Sequence, residues 1–412
     1  MDPSSPAPSP ARAIALVSPY SLSRPGGVQG QVVGLARALE ARGHRATVFA
    51  PLDAATDAPP GISLVVTGKS VSLPANGSVA PVTLSVRAVV QALRALRTGG
   101  FDVVHVHEPF TPGLPFGLLV DRRLPPLVAT FHRSGPSPFY RVLQPLTRPL
   151  MRRFAVRCAV SPAARATAVH ALGGRYEVGF NGIEMDRFLH VEPWPRPGPT
   201  ILFLGRHEER KGLAVLLEAF DRLRQRFTEP GADAAGSGPT LWVAGDGPRT
   251  EALRQRHPEA ADLHWLGVLT EEEKVRRLVA ADVVVAPSLG GESFGMVLVE
   301  AMAARAVVVA SDIDGYREAA GGHAVLVPPG DAPALVDALA GALNVTGGLA
   351  DPTRGGATPA GAAPAGAAPA GAAPGSPTWL DDAWAWASHW SMGRLAEWYE
   401  ARYDDAVVRA GA

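Results

Sequence analysis

The stretch VVVAPSLGGESFGMVLVEAMA, residues 283–303, decides the fold. Its first four residues form a short apolar run that ends before a proline, which is typical of a strand buried inside a parallel sheet. Glycines follow, and then a run with apolar residues at helical spacing. A strand, a glycine-rich turn and a helix in this order bring free backbone N–H groups and the positive end of the helix dipole together, where an anion can bind.

Two carboxylates distinguish this turn from an ordinary phosphate-binding turn. Glu292 lies in the turn, and Glu300 lies inside the following helix. A carboxylate repels a phosphate, but it accepts hydrogen bonds from sugar hydroxyls. The pair therefore predicts a ligand with hydroxyls at both ends and phosphate between them, such as a nucleotide sugar. The alternative is that Glu292 is a helix-start acid and Glu300 a solvated helix residue.

Composition limits the function further. The 412 residues are 47% apolar and 19% charged with a formal net charge of zero, which argues against a nucleic-acid-binding protein. The only cysteine, Cys158, permits no internal disulfide and indicates a reducing cytosol. No segment approaches the roughly 20 apolar residues of a membrane span, and the Pro/Ser-rich tail, residues 1–12, does not resemble a signal peptide. We expect a cytoplasmic protein whose membrane contact is at most peripheral.

The chain divides into two α/β domains. Apolar strands alternate with helical segments along residues 13–192 and again along 199–345, on either side of a proline-rich linker. This alternation predicts two doubly wound, Rossmann-like parallel sheets facing across a cleft. The Ala/Gly/Pro-rich segment 347–377 cannot form a core and is expected to be a disordered insertion of unknown role. An aromatic helix over 379–408 is predicted to join the first domain and to pack across the junction.

Other residues with suitable chemistry follow predicted strands. Gly27, after the first strand, allows close backbone approach to a ligand, although a simple tight turn explains it equally well. Arg206 and Lys211 follow the first strand of the second domain and suit a diphosphate leaving group, unless they are only solvated charges. His132 ends a strand of the first domain, where a structural role is the alternative. His105, His107 and Glu108 lie at the end of a strand, where successive side chains point to opposite faces. Only His105 and His107 can share a face, so no metal site is predicted.

Together these segments resemble the retaining glycosyltransferases of family 4. The resemblance covers about residues 13–345 and the last helix, and it implies the GT-B fold. The matching segments are Gly26-Gly27-Val28, Phe131-His132, Gly205-Arg206 with Arg210-Lys211-Gly212, Gly245-Asp246-Gly247-Pro248, and Glu292 with Glu300. Within the family, the chain resembles the actinobacterial phosphatidyl-myo-inositol mannosyltransferases in residues 25–29, 76–80, 105–109, 129–132 and 289–295.

The resemblance implies transfer from a nucleoside-diphosphate sugar, GDP-mannose above all, with retention of configuration and without a cofactor or metal. On the donor side, it assigns the diphosphate to Arg206, Lys211 and Gly27, the ribose to Glu300, the base to Lys274, and the hexose to Glu292, His132 and the backbone of Ser293, Phe294, Gly295 and Met296. On the acceptor side, it implies contacts from Tyr20, Gly27, Gln29, Phe110 and Arg133. The implied acceptor is phosphatidyl-myo-inositol at the cytoplasmic face of the membrane.

Departures from the inositol-lipid enzymes lie on the acceptor side. Phe110 replaces their Asn, Arg133 replaces a Thr, and Pro81 replaces an Arg. Residues 86–97 carry only three arginines where those enzymes have a dense basic cluster. Arg133 could still face an acceptor phosphate.

Other functions stay open at this stage. Within the family, the donor could be a UDP-sugar, and the acceptor a soluble sugar or another glycan. A nucleotide-sugar epimerase, a phosphorylase and a non-catalytic nucleotide-sugar-binding protein are alternatives of other classes. A phosphorylase needs a cofactor lysine that the sequence does not reveal. A non-catalytic protein would not need His132 together with all of the charged residues Arg206, Lys211, Glu292 and Glu300. The sequence does not indicate the oligomeric state.

Overall fold

The computed structural model describes residues 10–24, 26–75, 78–133, 147–228, 238–292, 294–347 and 374–411, without the side chains of residues 74, 75, 78, 79, 228 and 344–347. Several predicted features lie outside these residues. They are most of the tail, Pro25, Asn76-Gly77, most of a helix predicted over 139–154, Ser293, and nearly all of the low-complexity segment.

The strands are numbered in chain order. They are β1 (Ala13–Val17), β2 (Arg45–Ala50), β3 (Ser63–Val66), β4 (Val71–Ala75), β5 (Ser78–Val82), β6 (Val103–His107), β7 (Leu127–Phe131), β8 (Phe154–Ala159), β9 (Glu177–Val178), β10 (Thr200–Leu204), β11 (Thr240–Ala244), β12 (Leu263–Gly267), β13 (Val283–Ala286), β14 (Val307–Ser311) and β15 (Val325–Val327).

The helices are numbered in the same way. They are α1 (Gly27–Ala41), α2 (Val86–Thr98), α3 (Leu114–Val120), α4 (Pro162–Leu172), α5 (Leu213–Thr228), α6 (Thr250–Arg256), α7 (Glu271–Ala280), α8 (Met296–Ala303), α9 (Asp314–Ala320), α10 (Ala332–Gly347), α11 (Pro377–Ser388) and α12 (Met392–Gly411).

The chain forms two compact units. The first contains residues up to Glu184 and returns from Ser391 onward, and the second runs from Met185 to Trp390. The first unit has a parallel sheet of order β3-β2-β1-β6-β7-β8-β9, and the second has one of order β12-β11-β10-β13-β14-β15. In both, the strand order reverses beside the first strand of the unit, as in Rossmann-like folds. The α/β prediction with two parallel sheets is confirmed.

Near-continuous apolar strands explain why both sheets are buried. Every residue of β6, β7, β11, β13 and β14 is buried, as expected where helices cover both faces of a parallel sheet. In the first unit, α12 packs on α1, β7 and β8. Its Leu395, Tyr399 and Tyr403 join the same core as Ile14 and Val48.

The structure differs from the sequence prediction at four places. An antiparallel hairpin of β4 and β5 was not predicted, nor was α9. The division between units falls after Glu184, earlier than the proline-rich linker. The single helix predicted over 379–408 is wrong, because α11 and α12 are separated by a turn at which Ser391 forms a β-bridge with Ile183. Helix α11 belongs to the second unit and α12 to the first.

Candidate functional site

The loop between β13 and α8 has a backbone that glycine alone adopts easily. Gly291 and Gly295 have φ values of 75° and 113°, in the region that L side chains rarely occupy. A Cβ atom on Gly295 would lie 2.6 Å from Tyr316 of α9, and one on Gly315 would lie 2.4 Å from the Glu292 carbonyl oxygen. The loop is therefore packed closely on α9, and its backbone conformation is set by these approaches.

Glu292 is the centre of a charged cluster at this loop. Its Oε1 atom lies 2.8 Å from Lys211 Nζ and 2.6 Å from a guanidinium nitrogen of Arg210. Glu208 joins the cluster by pairing with Arg206 at 3.0 Å and with Arg210 at 2.9 Å. The side chains of Glu292 and Lys211 are only 13% and 20% exposed, so this pair is screened less by water than a surface pair. We call these five residues the Glu292 cluster.

A tight approach holds Lys211 at this place. Gly212, the next residue, has a φ of 68°, and a Cβ atom there would lie 1.8 Å from the carbonyl oxygen of Pro287. The turn that carries Lys211 thus lies directly against the end of β13. The structure brings together Arg206, Lys211 and Glu292, which the sequence assigned to the donor.

Glu300 and Lys274 form a second pair. Lys274 Nζ lies 2.8 Å from Glu300 and 3.3 Å from Glu271, and Glu271 also pairs with Arg187 at 2.6 Å. Burial works to lower the pKa of Lys274, but the carboxylates of Glu300 and Glu271 outweigh it and raise that pKa. Lys274 therefore stays charged at neutral pH. The two residues to which the sequence assigned the ribose and the base are neighbours.

The pairing of both acids with lysines was not predicted. The sequence suggested carboxylates open to sugar hydroxyls, whereas Glu292 and Glu300 each contact a lysine. Such pairs orient the carboxylates. A ligand phosphate that attracts Lys211 would weaken its pair with Glu292, and Glu292 could then accept a hydroxyl hydrogen bond.

In the first unit, His132 is held on two sides. Its Nε2 lies 2.8 Å from Nδ1 of His107. Its backbone N–H donates to Oε1 of Glu108 at 2.6 Å, and the N–H of Arg133 donates to the same oxygen at 2.9 Å. Glu108 has a φ of 47°, which is unusual for a residue with a side chain. Backbone strain of this kind is concentrated at functional sites.

Burial keeps His132 and its neighbours neutral. It lowers the pKa of His132 to about 4 and that of His105 to about 3, and it places the pKa of His107 well below the ordinary value. The neighbouring Asn181 side chain acts in the opposite direction on His132 without overcoming burial. At pH 7 these imidazoles can exchange hydrogen bonds but do not add positive charge.

The predicted acceptor residues are only partly brought together. Tyr20 lies near Glu108 and Arg133, and burial followed by the Glu108 charge raises its pKa to about 12, so its hydroxyl remains protonated. Gln29 is buried, and its amide donates to the carbonyl oxygens of Ser21 and Arg24.

Phe110 is a correction to the prediction. Its side chain is 2% exposed and belongs to the core of the first unit, packed near Phe131. It is therefore not available to an acceptor in this structure. Gln29 is likewise engaged with the backbone of its own loop.

The remaining predicted residues lie at the starts of two helices. Gly27 is the first residue of α1, and a Cβ atom there would meet nothing within 4 Å, so packing does not require this glycine. Phe294 is buried with its ring 4.5 Å from that of Trp390, and Met296 begins α8. Ser293 lies outside the described residues.

No metal-binding cluster is found in the part of the chain that the structure describes: no group of three or more His, Cys, Asp and Glu side chains could hold an ion there. Within the same residues, no helix is long and apolar enough to cross a membrane.

Comparison with known proteins identifies the family. A family model described as glycosyl transferases group 1 matches residues 198–344, and one described as glycosyltransferase family 4 matches residues 25–187. The phosphatidyl-myo-inositol mannosyltransferase of Mycobacterium tuberculosis is 39% identical over 337 residues, which cover 79% of this chain and 86% of that protein. The chain belongs to glycosyltransferase family 4. The enzyme of the same name from Propionibacterium freudenreichii is 34% identical over 74% of this glycosyltransferase and 78% of its own length.

Solved structures confirm the fold of this glycosyltransferase. Anabaena HepE in complex with UDP and glucose has a TM-score of 0.63 at 17% identity and covers 95% of this chain and 99% of its own. Sucrose-phosphate synthase from Thermosynechococcus elongatus has a TM-score of 0.65 at 20% identity and covers 97% of this chain and 100% of its own. The predicted GT-B fold class is confirmed. At these identities the likeness concerns the fold alone.

Sequence reasoning missed several residues at the two sites of this glycosyltransferase. They are Glu208 and Arg210 in the Glu292 cluster, Arg187 and Glu271 beside Lys274, and Asn181 beside His132. A signal existed for Arg210, which directly precedes Lys211. Glu208 and Glu271 are also close in sequence to their partners Arg206 and Lys274. Arg187 and Asn181 join the sites from distant parts of the sequence, as in the contact of Arg187 with Glu271, which no local pattern reveals.

Proposed function

We propose that this glycosyltransferase transfers mannose from GDP-mannose to phosphatidyl-myo-inositol, with retention of anomeric configuration. The observation that carries the proposal is the 39% identity, over most of both chains, to enzymes named phosphatidyl-myo-inositol mannosyltransferase. The charged groups of the second unit support the donor half of this function, and His132 of the first unit is assigned to the hexose of the donor.

The donor half rests on the Glu292 cluster. A leaving nucleoside diphosphate develops negative charge, and Arg206, Arg210 and Lys211 supply cations close to one another for it. Cations fixed before the reaction stabilise such charge without reorganisation during the step. Glu300, oriented by Lys274, is assigned to the ribose, and Glu292 to the hexose. The proposal needs no cofactor or metal because these side chains supply the positive charge.

The reaction is proposed to proceed on one face of the sugar. Glu292 and Glu300 each pair with a lysine, and Glu108 accepts two backbone N–H bonds. Hydrogen bonds and cations of this kind occupy the carboxylate oxygens, which are then not available as nucleophiles. This favours front-face displacement, in which the acceptor hydroxyl and the leaving phosphate share one side, over a covalent glycosyl intermediate.

Peripheral contact with the cytoplasmic face of a membrane is part of the proposal. Helix α2 exposes Val86 and Val90, the neighbouring α3 exposes Phe116 and Val120, and the loop before α2 exposes Leu84. Arginines 87, 94 and 97 lie on the same helix α2. Exposed apolar side chains beside a few cations suit shallow insertion among anionic lipids.

A second candidate keeps the enzyme class but changes the substrates. Phe110 packs in the core, where the inositol-lipid enzymes have an Asn, so one expected acceptor contact is missing. Glycogen synthase from Mycobacterium tuberculosis is also 30% identical over 59% of this chain and 60% of its own length. A UDP-sugar donor or a non-inositol acceptor would accommodate both observations.

The proposal is tested by measuring sugar transfer by the purified protein, with GDP-mannose and UDP-glucose supplied in turn as donors. Each donor is combined with vesicles of phosphatidylcholine alone or with added phosphatidylinositol. We expect mannosyl transfer from GDP-mannose only where the inositol lipid is present, and an α-linked product by NMR. Matched vesicles of phosphatidylcholine and phosphatidylglycerol separate the inositol headgroup from surface charge. Turnover of UDP-glucose, or indifference to the inositol lipid, would support the second candidate.

A further inference from the structure

Two neutral imidazoles share one hydrogen bond in the first unit. Nδ1 of His107 and Nε2 of His132 are 2.8 Å apart. Burial keeps both rings uncharged at neutral pH. A neutral imidazole has one N–H and one lone pair, so a single proton lies between the two nitrogens. The ring that carries this proton determines the tautomers of both residues.

The surroundings of the second ring nitrogen of His107, Nε2, show which ring carries the shared proton. His107 Nε2 is buried and has no hydrogen-bond partner among the described residues. If Nε2 carried the proton, a donor would be buried without an acceptor, which is the rarer and costlier defect. If Nδ1 carries it, only a lone pair is left unpaired. His107 therefore donates from Nδ1, and Nε2 of His132 accepts.

The assignment also places the proton of His132. With Nε2 of His132 acting as acceptor, its proton must be on Nδ1, because a neutral imidazole carries one N–H.

The surrounding residues prevent His107 from turning away. Its ring stacks between those of His105 and His132, with centroid distances of 4.4 and 5.1 Å. His105 is itself fixed by hydrogen bonds of 2.8 Å with the hydroxyl of Tyr403 and 2.7 Å with that of Thr130. Because the His105 ring is bound at both nitrogens, it supports the His107 ring rigidly.

We propose that His107 is a positioning residue that fixes His132 as the neutral Nδ1–H tautomer. The proposal rests on the proposed function in assigning a sugar contact to His132. In this tautomer His132 donates a hydrogen bond from Nδ1 to a hydroxyl oxygen of the ligand. Its Nε2 is already occupied by His107 and does not act as a general base. The second histidine thus determines what kind of contact the first one makes.

Long-range ¹H–¹⁵N NMR of ¹⁵N-histidine-labelled protein, without ligand, tests the tautomer directly. The His132 signals are those that disappear in His132→Gln. We expect a protonated Nδ1 and an unprotonated Nε2 in the wild-type protein, and a shift toward protonated Nε2 in His107→Leu. His107→Asn can donate from its amide nitrogen and should retain the wild-type pattern. His170→Leu, an exposed substitution on α4 of the same unit, is the matched control.

Kinetics separate positioning from a general effect on folding. We expect His107→Leu to reduce kcat by about 10- to 100-fold, the effect of a slight misplacement of a catalytic group, with partial rescue in His107→Asn. In a His132→Ala background, His107→Leu should cause no further loss, because its effect passes through His132.

Two results would overturn the proposal. One is a protonated Nε2 on His132 in the wild-type protein, or a tautomer that His107→Leu leaves unchanged. The other is a full additional loss of kcat in the double variant. Failure of the proposed function is distinguishable, since the wild-type protein would then not transfer mannose from GDP-mannose to the inositol lipid, while the NMR measurement still determines the tautomer.

Discussion

At the scale of single residues, the candidate site consists of paired charges. Glu292 contacts Lys211 and Arg210, and Glu300 contacts Lys274. Because Glu292 contacts both Lys211 and Arg210, removing Lys211 still leaves the carboxylate a cationic partner. The consequences can be tested by substitution.

Lys211→Ala and Glu292→Gln should each reduce transfer by about 100-fold or more, because each removes charge stabilisation or a sugar contact in the transition state. The melting temperature should change little. Initial rates and circular dichroism check both expectations. The matched control is Arg222→Ala, which breaks an exposed ion pair with Glu218 on α5 of the same unit. Full activity in Lys211→Ala would remove the Glu292 cluster from the reaction.

The buried histidines predict a pH dependence. Burial lowers the pKa values of His105, His107 and His132, so the unfolded chain binds more protons than the folded one below about pH 6.5. The free energy of unfolding should therefore fall as pH decreases from 6.5 to 5, by up to about 1.4 kcal/mol per pH unit for each such histidine. Activity should show no loss from protonation of His132 until pH approaches its folded pKa of about 4.

Urea titrations at several pH values measure this slope. His107→Asn should reduce it, since one buried histidine is removed, and the exposed substitution His170→Gln should not. An unfolding free energy that is constant between pH 6.5 and 5 would contradict the assignment of neutral buried histidines.

At the scale of elements, close backbone approaches place the charged side chains. The turn before α5 and the end of β13 meet at Gly212 and Pro287, and the loop before α8 meets α9 at Gly295 and Tyr316. Such positions depend on glycine for two separate reasons, the positive φ and the missing Cβ atom.

Gly212→Ala should destabilise the second unit more than Gly267→Ala. Both glycines have nearly the same positive φ, 68° and 67°, but a Cβ atom at Gly267 would meet nothing within 4 Å. We expect about 1 kcal/mol from backbone strain alone at Gly267 and several kcal/mol at Gly212, where the chain must also move. Denaturant unfolding measures both, and equal losses would show that the approach to Pro287 is unimportant.

Local patterns predicted the central elements of the fold but not those fixed by distant contacts. The β13–loop–α8 segment could be predicted because apolar periodicity and glycine chemistry lie within 21 consecutive residues. The turn between α11 and α12 could not, since aromatic residues continue through it and only the bridge of Ser391 with Ile183 reveals the break.

The same limit applies to the candidate site. Residues next to strand ends, such as Arg206, Lys211 and His132, could be selected from sequence. Phe110 was assigned to the acceptor because it also follows a strand, but its ring turns into the core. Sequence position shows where a backbone passes, and the packing of neighbouring elements determines where a side chain lies.

At the scale of the whole molecule, the first unit is assembled from distant parts of the chain. Glu400 of α12 receives hydrogen bonds from Arg42 at 2.8 Å and lies 2.9 Å from Nε2 of His44. The hydrogen bond from Arg42 holds the pKa of Glu400 below its usual range. The side chain of Glu400 is buried, so the pair links two segments more than 350 residues apart.

Glu400→Gln should destabilise the first unit by about 2 kcal/mol, the typical contribution of a hydrogen bond to a charged group. Because the folded pKa is lowered, this contribution is complete above the unfolded pKa of Glu and is lost as pH falls through the folded value. Urea unfolding at pH 7 and pH 4 measures it. Asp405→Asn, an exposed substitution on the same helix, is the control, and an equal effect from both would argue against the Glu400 link.

The position of α12 also affects biosynthesis. A ribosome releases residues 13–184 first, but the helix that covers their core follows the entire second unit in the chain. During that interval, newly made chains expose the apolar surface around Ile14, Leu35 and Val48, which is a surface prone to aggregation. The second unit can fold as soon as it emerges. Protease digestion of chains stalled after residue 390 should therefore leave the second unit intact and degrade the first.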